Sequence, residues 1–562
     1  MEAIRRERCN RGREPMQRGK SEKQKAIKGT QAGKLRKAHE KHPEETEGRI
    51  AMQEKNRNTD REERLYRRFA EYAAIPHPSG NTAAASEYCL EAAASAGYRG
   101  ERDAAGNLLI RVPGTQGWSD RPTVILQGHL DMVAVREEGS ERDPAQDPLD
   151  LFWEGDRIGA RGTSLGGDDG VAVAMCLALL EEKEAPHPPL EILLTADEEI
   201  GLLGASALDM SRLKGRLLLN LDSEEEGVFI VGCAGGVRLD ISMPVCRTRE
   251  EMPCLRATLY GGRGGHSGND IHRGRLNAAV GLSGLLRSVS RAVPLFLCCL
   301  DGGEKDNAIP DRASAYFLTP DPEKAIRVFR EAAEALCASY READPSLSFA
   351  IGPASGGRDA GAERCADPAG TGRATEDCAS DGVGISGGRL ALTAEESRRW
   401  LDFLSDAPCG VQAMREDFPD IVHTSLNLGI LRSGSERMHA VYAIRSASEV
   451  GKAELADTLS AAARTIGAEV HRRGEYPAWE YRPDSRLRPL MQRIWRAQTG
   501  RPAREEIIHA GLECGIFAAR LPGLDCVSLG PALYDIHTAR ERLSFSSLVR
   551  TYDYLLAVLA EL

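Results

Sequence analysis

Three short apolar runs in the first half of the chain end directly in a histidine or in acids. Thr123-Val-Ile-Leu-Gln127 leads into Gly128-His-Leu-Asp-Met132, Leu190-Glu-Ile-Leu-Leu-Thr195 into Ala196-Asp-Glu-Glu199, and Arg216-Leu-Leu-Leu-Asn-Leu221 into Asp222. Each run has the length and texture of a buried strand. Carboxylates are costly to bury unless a cation neutralises them or water solvates them. A chain that repeats them at strand ends is therefore constrained to gather those ends in one place. In open α/β sheets the carboxyl ends of the strands are where sites assemble. With helices alternating between the runs, the pattern predicts an α/β layer fold.

At 562 residues the chain is too long for one ordinary core, so two domains are expected. A helix over Arg64–Tyr72 leads through the turn-like Ile75-Pro-His-Pro-Ser-Gly80 to a second helix. Asn107–Val112 reads as a strand and Gly170–Leu180 as an apolar helix. After Gly232-Cys-Ala-Gly-Gly236 the texture changes, with a strand at Cys254–Tyr260 and helices over Leu276–Val289 and Glu323–Leu336. Residues 237–475 are read as an α+β domain inserted into a first domain of 61–236 and 476–562, to which a helix at Leu487–Gln498 and a strand at Asp525–Leu529 return. Within the insertion, 352–388 is rich in Gly, Ala, Asp and Ser and is expected to be a mobile loop. Residues 1–60 hold 17 Lys or Arg against 10 Asp or Glu with few aromatic or β-branched side chains, the composition of a disordered basic arm. Met52 stands just ahead of the first helical pattern, where translation could equally begin.

The formal net charge of −11 disfavours a general nucleic-acid binder. Apolar runs fall short of the roughly 18–20 residues that span a bilayer, and no apolar segment follows the basic N-terminus as in a secretory signal. A soluble, cytoplasmic protein with no membrane partner is expected. The 14 cysteines are scattered without a Cys-x-x-Cys pair, which speaks against a zinc knuckle and for free, buried thiols.

In Gly128-His-Leu-Asp-Met132 the residues two apart point to the same side of a strand. Asp131 is thus placed to orient His129, as carboxylates do for metal-bound imidazoles. Gly162-Thr-Ser-Leu-Gly-Gly-Asp-Asp-Gly170 sets two acids among glycines before a helix, where they would repel a phosphate and attract a cation. Asp197-Glu-Glu199, Asp222 and the histidine of Tyr534-Asp-Ile-His-Thr538 complete the series. Taken singly, each also reads as a satisfied histidine or a solvated acidic turn. Together, mixed imidazole and carboxylate donors suit zinc, manganese or cobalt, and shared carboxylates suit two ions roughly 3.5 Å apart.

Gly128-His-Leu-Asp-Met132, Gly166-Gly-Asp-Asp-Gly170, Asp197-Glu-Glu-Ile-Gly201, Leu221-Asp-Ser-Glu-Glu225 and Ile536-His-Thr538 occur in the order found in M20 metallopeptidases, which the chain resembles from about residue 62 onward. It looks most like the aminoacyl-histidine dipeptidases through Ile75-Pro-His-Pro-Ser79, Gly265-His-Ser-Gly-Asn269 and His509-Ala-Gly-Leu-Glu-Cys-Gly515. The resemblance implies a dinuclear-zinc aminopeptidase-like catalytic domain, a mixed sheet between helices, with an inserted α+β lid. It implies two divalent ions, Zn²⁺ or else Mn²⁺ or Co²⁺, with Asp168 bridging, His129 and Asp222 completing one site, and Glu199 and His537 the other. Glu198 is then the general base, Asp131 orients His129, and the Asp168-Asp169 peptide is cis. His266 would stabilise the oxyanion from the lid, and Asn307 and Arg445 would bind the substrate backbone and carboxylate, with Glu513 and His272 as further substrate contacts. The implied reaction is hydrolysis of dipeptides, above all carnosine-like Xaa-His, by a water activated between the ions. Alternatives are a broader M20 amidohydrolase or carboxypeptidase, a non-specific dipeptidase, or a non-catalytic binding relative. A homodimer is implied by some relatives, whereas others carry an enlarged lid as monomers.

Overall fold

The computed structural model describes residues 59–354, 388–416 and 418–562. The expected basic arm, apart from its last two residues, and nearly all of the expected 352–388 loop lie outside the described residues. The strand Ser348–Pro353 does enter the start of that loop.

A helix over 59–73 opens the described chain. It buries Leu65, Phe69 and Tyr72, the spacing of one helical face. Tyr72 Oη then donates to the Leu130 carbonyl at 2.5 Å, which fixes the segment between His129 and Asp131.

The first layer is an eight-stranded mixed sheet. At its centre Val124–His129 runs parallel to Leu190–Thr195 on one side and Leu217–Asn220 on the other. Asp525–Ser528 adds to the latter, also parallel. Alternate residues serve opposite faces. Val124, Leu126, Ile192, Leu194 and Leu219 pack with the helices Gly167–Leu179, Leu487–Thr499 and Phe545–Leu559. Ile125, Leu193 and Leu218 pack with Leu202, Ile516 and Phe517 on the other face. A strand covered on both faces needs a continuous apolar run, which explains why these segments read as such in the sequence. Because the three central strands are parallel and in register, with His129 beside Thr195 and Gln127 beside Asn220, their carboxyl ends lie together.

Between Cys233 and Gly235 the chain passes into a nine-stranded sheet. Its backbone is the long antiparallel hairpin Val422–Ser433/Arg437–Ser446 with Gly235–Pro244 alongside. The helices Ala278–Ala292, Ala394–Asp406 and Glu449–Thr465 help to form one second core. The chain returns through Glu469–Tyr476, and Cys233 and Trp479 then exchange backbone hydrogen bonds of 2.9 and 3.0 Å. The two crossings between the layers are thus neighbours.

A small four-stranded sheet links Leu151–Glu154 and Arg157–Ala160 to Arg542–Ser544 and Leu533–Tyr534. Its last two strands form a hairpin. The loop of that hairpin, 535–541, carries His537. No disulfide joins the described cysteines. The expectation of buried thiols holds for Cys89, Cys176, Cys233, Cys514 and Cys526, whereas Cys254, Cys298, Cys299, Cys337 and Cys409 are half-buried and Cys246 is exposed in the two-residue link between the strands Gly235–Pro244 and Arg247–Glu250. Among the described residues no helix is long and apolar enough to cross a membrane.

Candidate metal centre

The strand ends deliver what the sequence placed on them. His129 ends its strand with Nε2 3.1 Å from Asp168 Oδ1 and 3.8 Å from Asp222 Oδ1. His537 Nε2 lies 3.2 Å from Asp168 Oδ2 and 2.8 Å from Glu199 Oε1. Ligand atoms of His129, Asp168 and Asp222 all fall within 4.8 Å of one another, as do those of Asp168, Glu199 and His537. Asp168 therefore belongs to both groups, one oxygen turned to each histidine. His129, Glu198 and Glu199 form a third grouping, which puts Glu198 at the edge of the same cluster.

Backbone geometry serves this convergence. Asp168 and Asp169 have non-helical φ/ψ at the mouth of the helix that properly begins at Gly170, and the bond between them is cis. Asp169 turns back so that its Oδ2 accepts from the His129 N–H at 3.0 Å. Gly128 allows this approach, since a Cβ there would lie 2.4 Å from that oxygen. His537 stands at φ 59°, a left-handed conformation uncommon outside glycine and often found at functional sites.

Asp131 does more than orient the ring of His129. The ring Nδ1 is 3.0 Å from the Asp131 backbone carbonyl and 3.5 Å from its carboxylate. Meanwhile the carboxylate accepts from Ser79 Oγ at 2.7 Å and from the N–H groups of Glu198 and Glu199 at 2.9 and 3.2 Å. One residue thus ties the imidazole to the segment that presents both glutamates.

The electrostatics follow from crowding. Burial, and after it the charges of Glu199, Glu513 and Asp168, raise Glu198 well above the ordinary glutamate range, against the opposing pull of His129. Burial and Asp168 likewise raise Asp222. For His129, burial opposes protonation, but hydrogen bonds to Asp131 and Asp168 and the charges of Asp222 and Asp168 outweigh it and raise the pKa. His537 is pushed up to about 11 in the same way: burial is overcome by Asp168 and Glu199. Two imidazoles among four mutually repelling, largely buried carboxylates fit divalent cations by donor type and by charge.

The remaining expected residues fall into two places. His266 and Asn307 sit together in the second layer: the strand Gly265–His266 pairs with Ala308–Ile309, and Ser267 N–H donates to the Asn307 carbonyl at 2.8 Å. The Nδ1 of His266 accepts from the N–H groups of Gly268 and Asn269 at 3.3 and 3.1 Å. Its proton must therefore reside on Nε2, the form that can donate to an oxyanion. Burial and the Arg445 charge lower its pKa, which keeps that form at neutral pH. Arg445 is buried, with Nη1 donating to Tyr476 Oη at 2.9 Å. His272 is exposed. Glu513 is fully buried beneath the strand ends, its Oε2 accepting from Gln127 Nε2 at 2.5 Å and Thr195 Oγ1 at 2.6 Å. That setting braces the strands under the cluster. Burial pushes its pKa up to about 7.

Reading the sequence alone missed Ser79, Asp169 and Glu541, each of which holds a residue of the centre. Glu541 is the most consequential. It follows His537 by four residues, and its carboxylate accepts from the N–H groups of Leu165, Gly166, Gly167 and Asp168 at 2.8, 3.0, 2.8 and 3.3 Å. An acid shortly after a candidate ligand histidine was visible, but its partners lie too far away in sequence to be inferred from spacing.

His77, in the Ile75–Ser79 turn, gives the fold a pH dependence. It is buried against Tyr72, with Nδ1 2.5 Å from the Ile75 carbonyl. Burial first, and the His129 charge, lower its pKa to about 4, although Ile75 and Asp131 pull the other way. Unfolded histidine titrates near 6.5. Between pH 6.5 and 4 the unfolded chain therefore binds a proton that the folded chain refuses. The contribution of neutral His77 is complete above pH 6.5, is lost as pH falls towards 4, and amounts to roughly 3 kcal/mol. Urea unfolding of metal-free protein at pH 7 and 4.5 should show the wild type losing roughly 2–3 kcal/mol more than His77→Gln. Equal losses would remove His77 as the cause.

A mixed sheet whose strand ends bring one histidine and several carboxylates up to a helix-mouth aspartate and a second histidine from a hairpin loop has the make-up of a metal-dependent hydrolase. Residues 125–561 match the model of Peptidase family M20/M25/M40, and the chain belongs to that family. It is 32% identical over 500 residues to the cytosol non-specific dipeptidase of Escherichia coli (strain K12), covering 88% of this chain and 96% of that protein. It superposes on the crystal structure of an aminoacylhistidine dipeptidase from Vibrio alginolyticus with a TM-score of 0.76 at 31% identity, covering 89% of this chain and 96% of that one. A tripeptidase from Staphylococcus aureus shares the fold at 17% identity, with a TM-score of 0.53 over 89% of this chain and 98% of that one.

Proposed function

We propose that the chain is a dinuclear-metal dipeptidase that cleaves dipeptides with C-terminal histidine, including β-alanyl-histidine, in the cytoplasm. The convergence of His129, Asp168, Glu199, Asp222 and His537 around Glu198 carries this reading. The likeness to an aminoacylhistidine dipeptidase supports the substrate. A broader dipeptidase is the second reading, favoured by the comparable identity to a non-specific dipeptidase.

His129 and Asp222 would hold one ion, Glu199 and His537 the other, and Asp168 both. Zinc, manganese or cobalt bound there supplies positive charge that acidifies the attacking water and polarises the scissile carbonyl. Glu198, its pKa raised by burial and neighbouring carboxylates, takes the proton from water and returns it to the leaving amine. Asp131 fixes the glutamate segment, so that the base is aimed before substrate arrives. Residues 237–475 act as the lid. His266 donates through Nε2 to the developing oxyanion, Arg445 receives the terminal carboxylate with its planar guanidinium, and Asn307 meets the peptide backbone.

The test is hydrolysis of β-alanyl-histidine and a panel of ordinary dipeptides by metal-analysed protein, before and after chelation and after return of zinc or manganese. We expect about two metals per chain, activity lost on chelation and restored on return, and the highest kcat/KM on Xaa-His. Equal rates across the panel favour the broader dipeptidase. A fully loaded protein that cleaves none of the panel would overturn both readings.

A further inference from the structure

Two segments of the centre come from distant parts of the chain and have to be held in register. One is the turn 165–168, which ends in Asp168; the other is the hairpin loop 535–541, which carries His537. Glu541 stands where they meet. Its Oε2 accepts from Leu165 and Gly166, and its Oε1 from Gly167 and Asp168. Only 2% of it is exposed. Gly167 is packed so closely that a Cβ there would lie 3.1 Å from Oε1 and 2.7 Å from Leu533 Cδ2.

From this geometry we infer that Glu541 is a positioning residue for the metal centre, a bracket that sets the separation between Asp168 and His537. The inference rests on the metal-centre reading above. Its physical basis is the number and direction of the hydrogen bonds. Four N–H groups converge on one carboxylate from consecutive residues, so the turn can neither rotate nor slide without losing several of them. The same carboxylate belongs to the loop whose His537 Nε2 faces Asp168 Oδ2 at 3.2 Å. Outer groups that orient metal ligands affect metal affinity, typically by about 10–100-fold. A glutamine in place of Glu541 would keep one acceptor oxygen and turn an NH₂ group against two backbone donors. An aspartate would keep the charge but fall short of the far donors.

A buried carboxylate that caps backbone N–H groups also occurs far from the centre, and it serves as the control. Asp525 accepts from Ser485 Oγ and from the N–H groups of Arg486 and Leu487 at 2.7, 2.6 and 3.0 Å, at the start of the helix Leu487–Thr499. Losing either carboxylate should lower the melting temperature. Only the loss of Glu541 should alter metal binding.

The experiment is a zinc titration of metal-free full-length protein in competition with a chromophoric chelator, at a temperature where circular dichroism shows each variant folded. Wild type, Glu541→Gln, Glu541→Asp and Asp525→Asn are compared. We expect at least one zinc to bind about tenfold or more weakly in Glu541→Gln, a smaller weakening in Glu541→Asp, and wild-type affinity in Asp525→Asn. If Glu541→Gln does not fold, Glu541→Asp carries the test by the same comparison with Asp525→Asn. Zinc affinity unchanged from wild type in the Glu541 variants, with only the melting temperature reduced, would overturn the inference and leave Glu541 an ordinary cap. A wild type that takes up no zinc would instead overturn the metal-centre reading on which the inference stands.

Discussion

The Glu198→Gln protein is expected to bind its full complement of metal and to turn over about 10³-fold more slowly than the wild type. The substitution is nearly isosteric, so the segment held by Asp131 through the Glu198 and Glu199 N–H groups should stay in place. What is lost is the ability to take up a proton. Burial and neighbouring carboxylates raise this side chain's pKa, and a base is most effective when its pKa lies near the working pH. The amide has no such capacity. Metal analysis beside steady-state kinetics on a dipeptide reads both halves of the expectation. Near-normal kcat with metal retained would assign proton transfer to another group. Loss of metal together with activity would make Glu198 a ligand, in keeping with its grouping with His129 and Glu199.

Asp168→Asn should be more damaging still, because it strikes both groups of ligands at once. Asp168 Oδ1 faces His129 and Oδ2 faces His537. An asparagine can offer its oxygen to only one side, turns an amide NH₂ to the other, and removes a negative charge from the site proposed to hold two dications. The variant should retain fewer than one tightly held metal per chain and lose at least about 10³-fold in activity, since several kcal/mol of transition-state stabilisation depart with the ions. Metal content after gel filtration, measured beside activity, decides the matter. Two metals retained by the variant would exclude Asp168 as a bridge.

Much of the first layer could be read from the sequence because it obeys a simple physical rule. A strand buried on both faces must be apolar throughout, and Leu190–Thr195 is observed over the predicted span. The second-layer strand Cys254–Tyr260 also matches. The residues beyond the first-layer strands were legible as a cluster because parallel strands align their carboxyl ends. The small four-stranded sheet could not be anticipated. Leu533–Tyr534 and Arg542–Ser544 are only two and three residues long, and they are defined by pairing, the first with the second and the second with a strand near residue 158, rather than by their own pattern. The bracing residues were hidden for the same reason. Ser79 reaches Asp131 across 52 positions and Glu541 reaches Gly166 across 375, contacts that leave no periodic trace. Glu513 shows the converse. Its motif pointed to the site, but only the fold places it beneath the strands, hydrogen-bonded to Gln127 and Thr195.

The neighbouring crossings at Cys233 and Trp479 also bear on how the chain reaches its folded state. The strands Leu217–Asn220 and Asp525–Ser528 pair directly although the whole nine-stranded sheet lies between them in sequence. Once that sheet has formed, its entry and exit are side by side. The intervening chain then acts as a knot already tied, and only the short stretches outside it count towards closing the loop. Closure entropy grows with the logarithm of free length, so a several-fold shortening lowers its cost by about 1 kcal/mol or more. Folding the inserted layer first thus prepares the strand pairing beside the site.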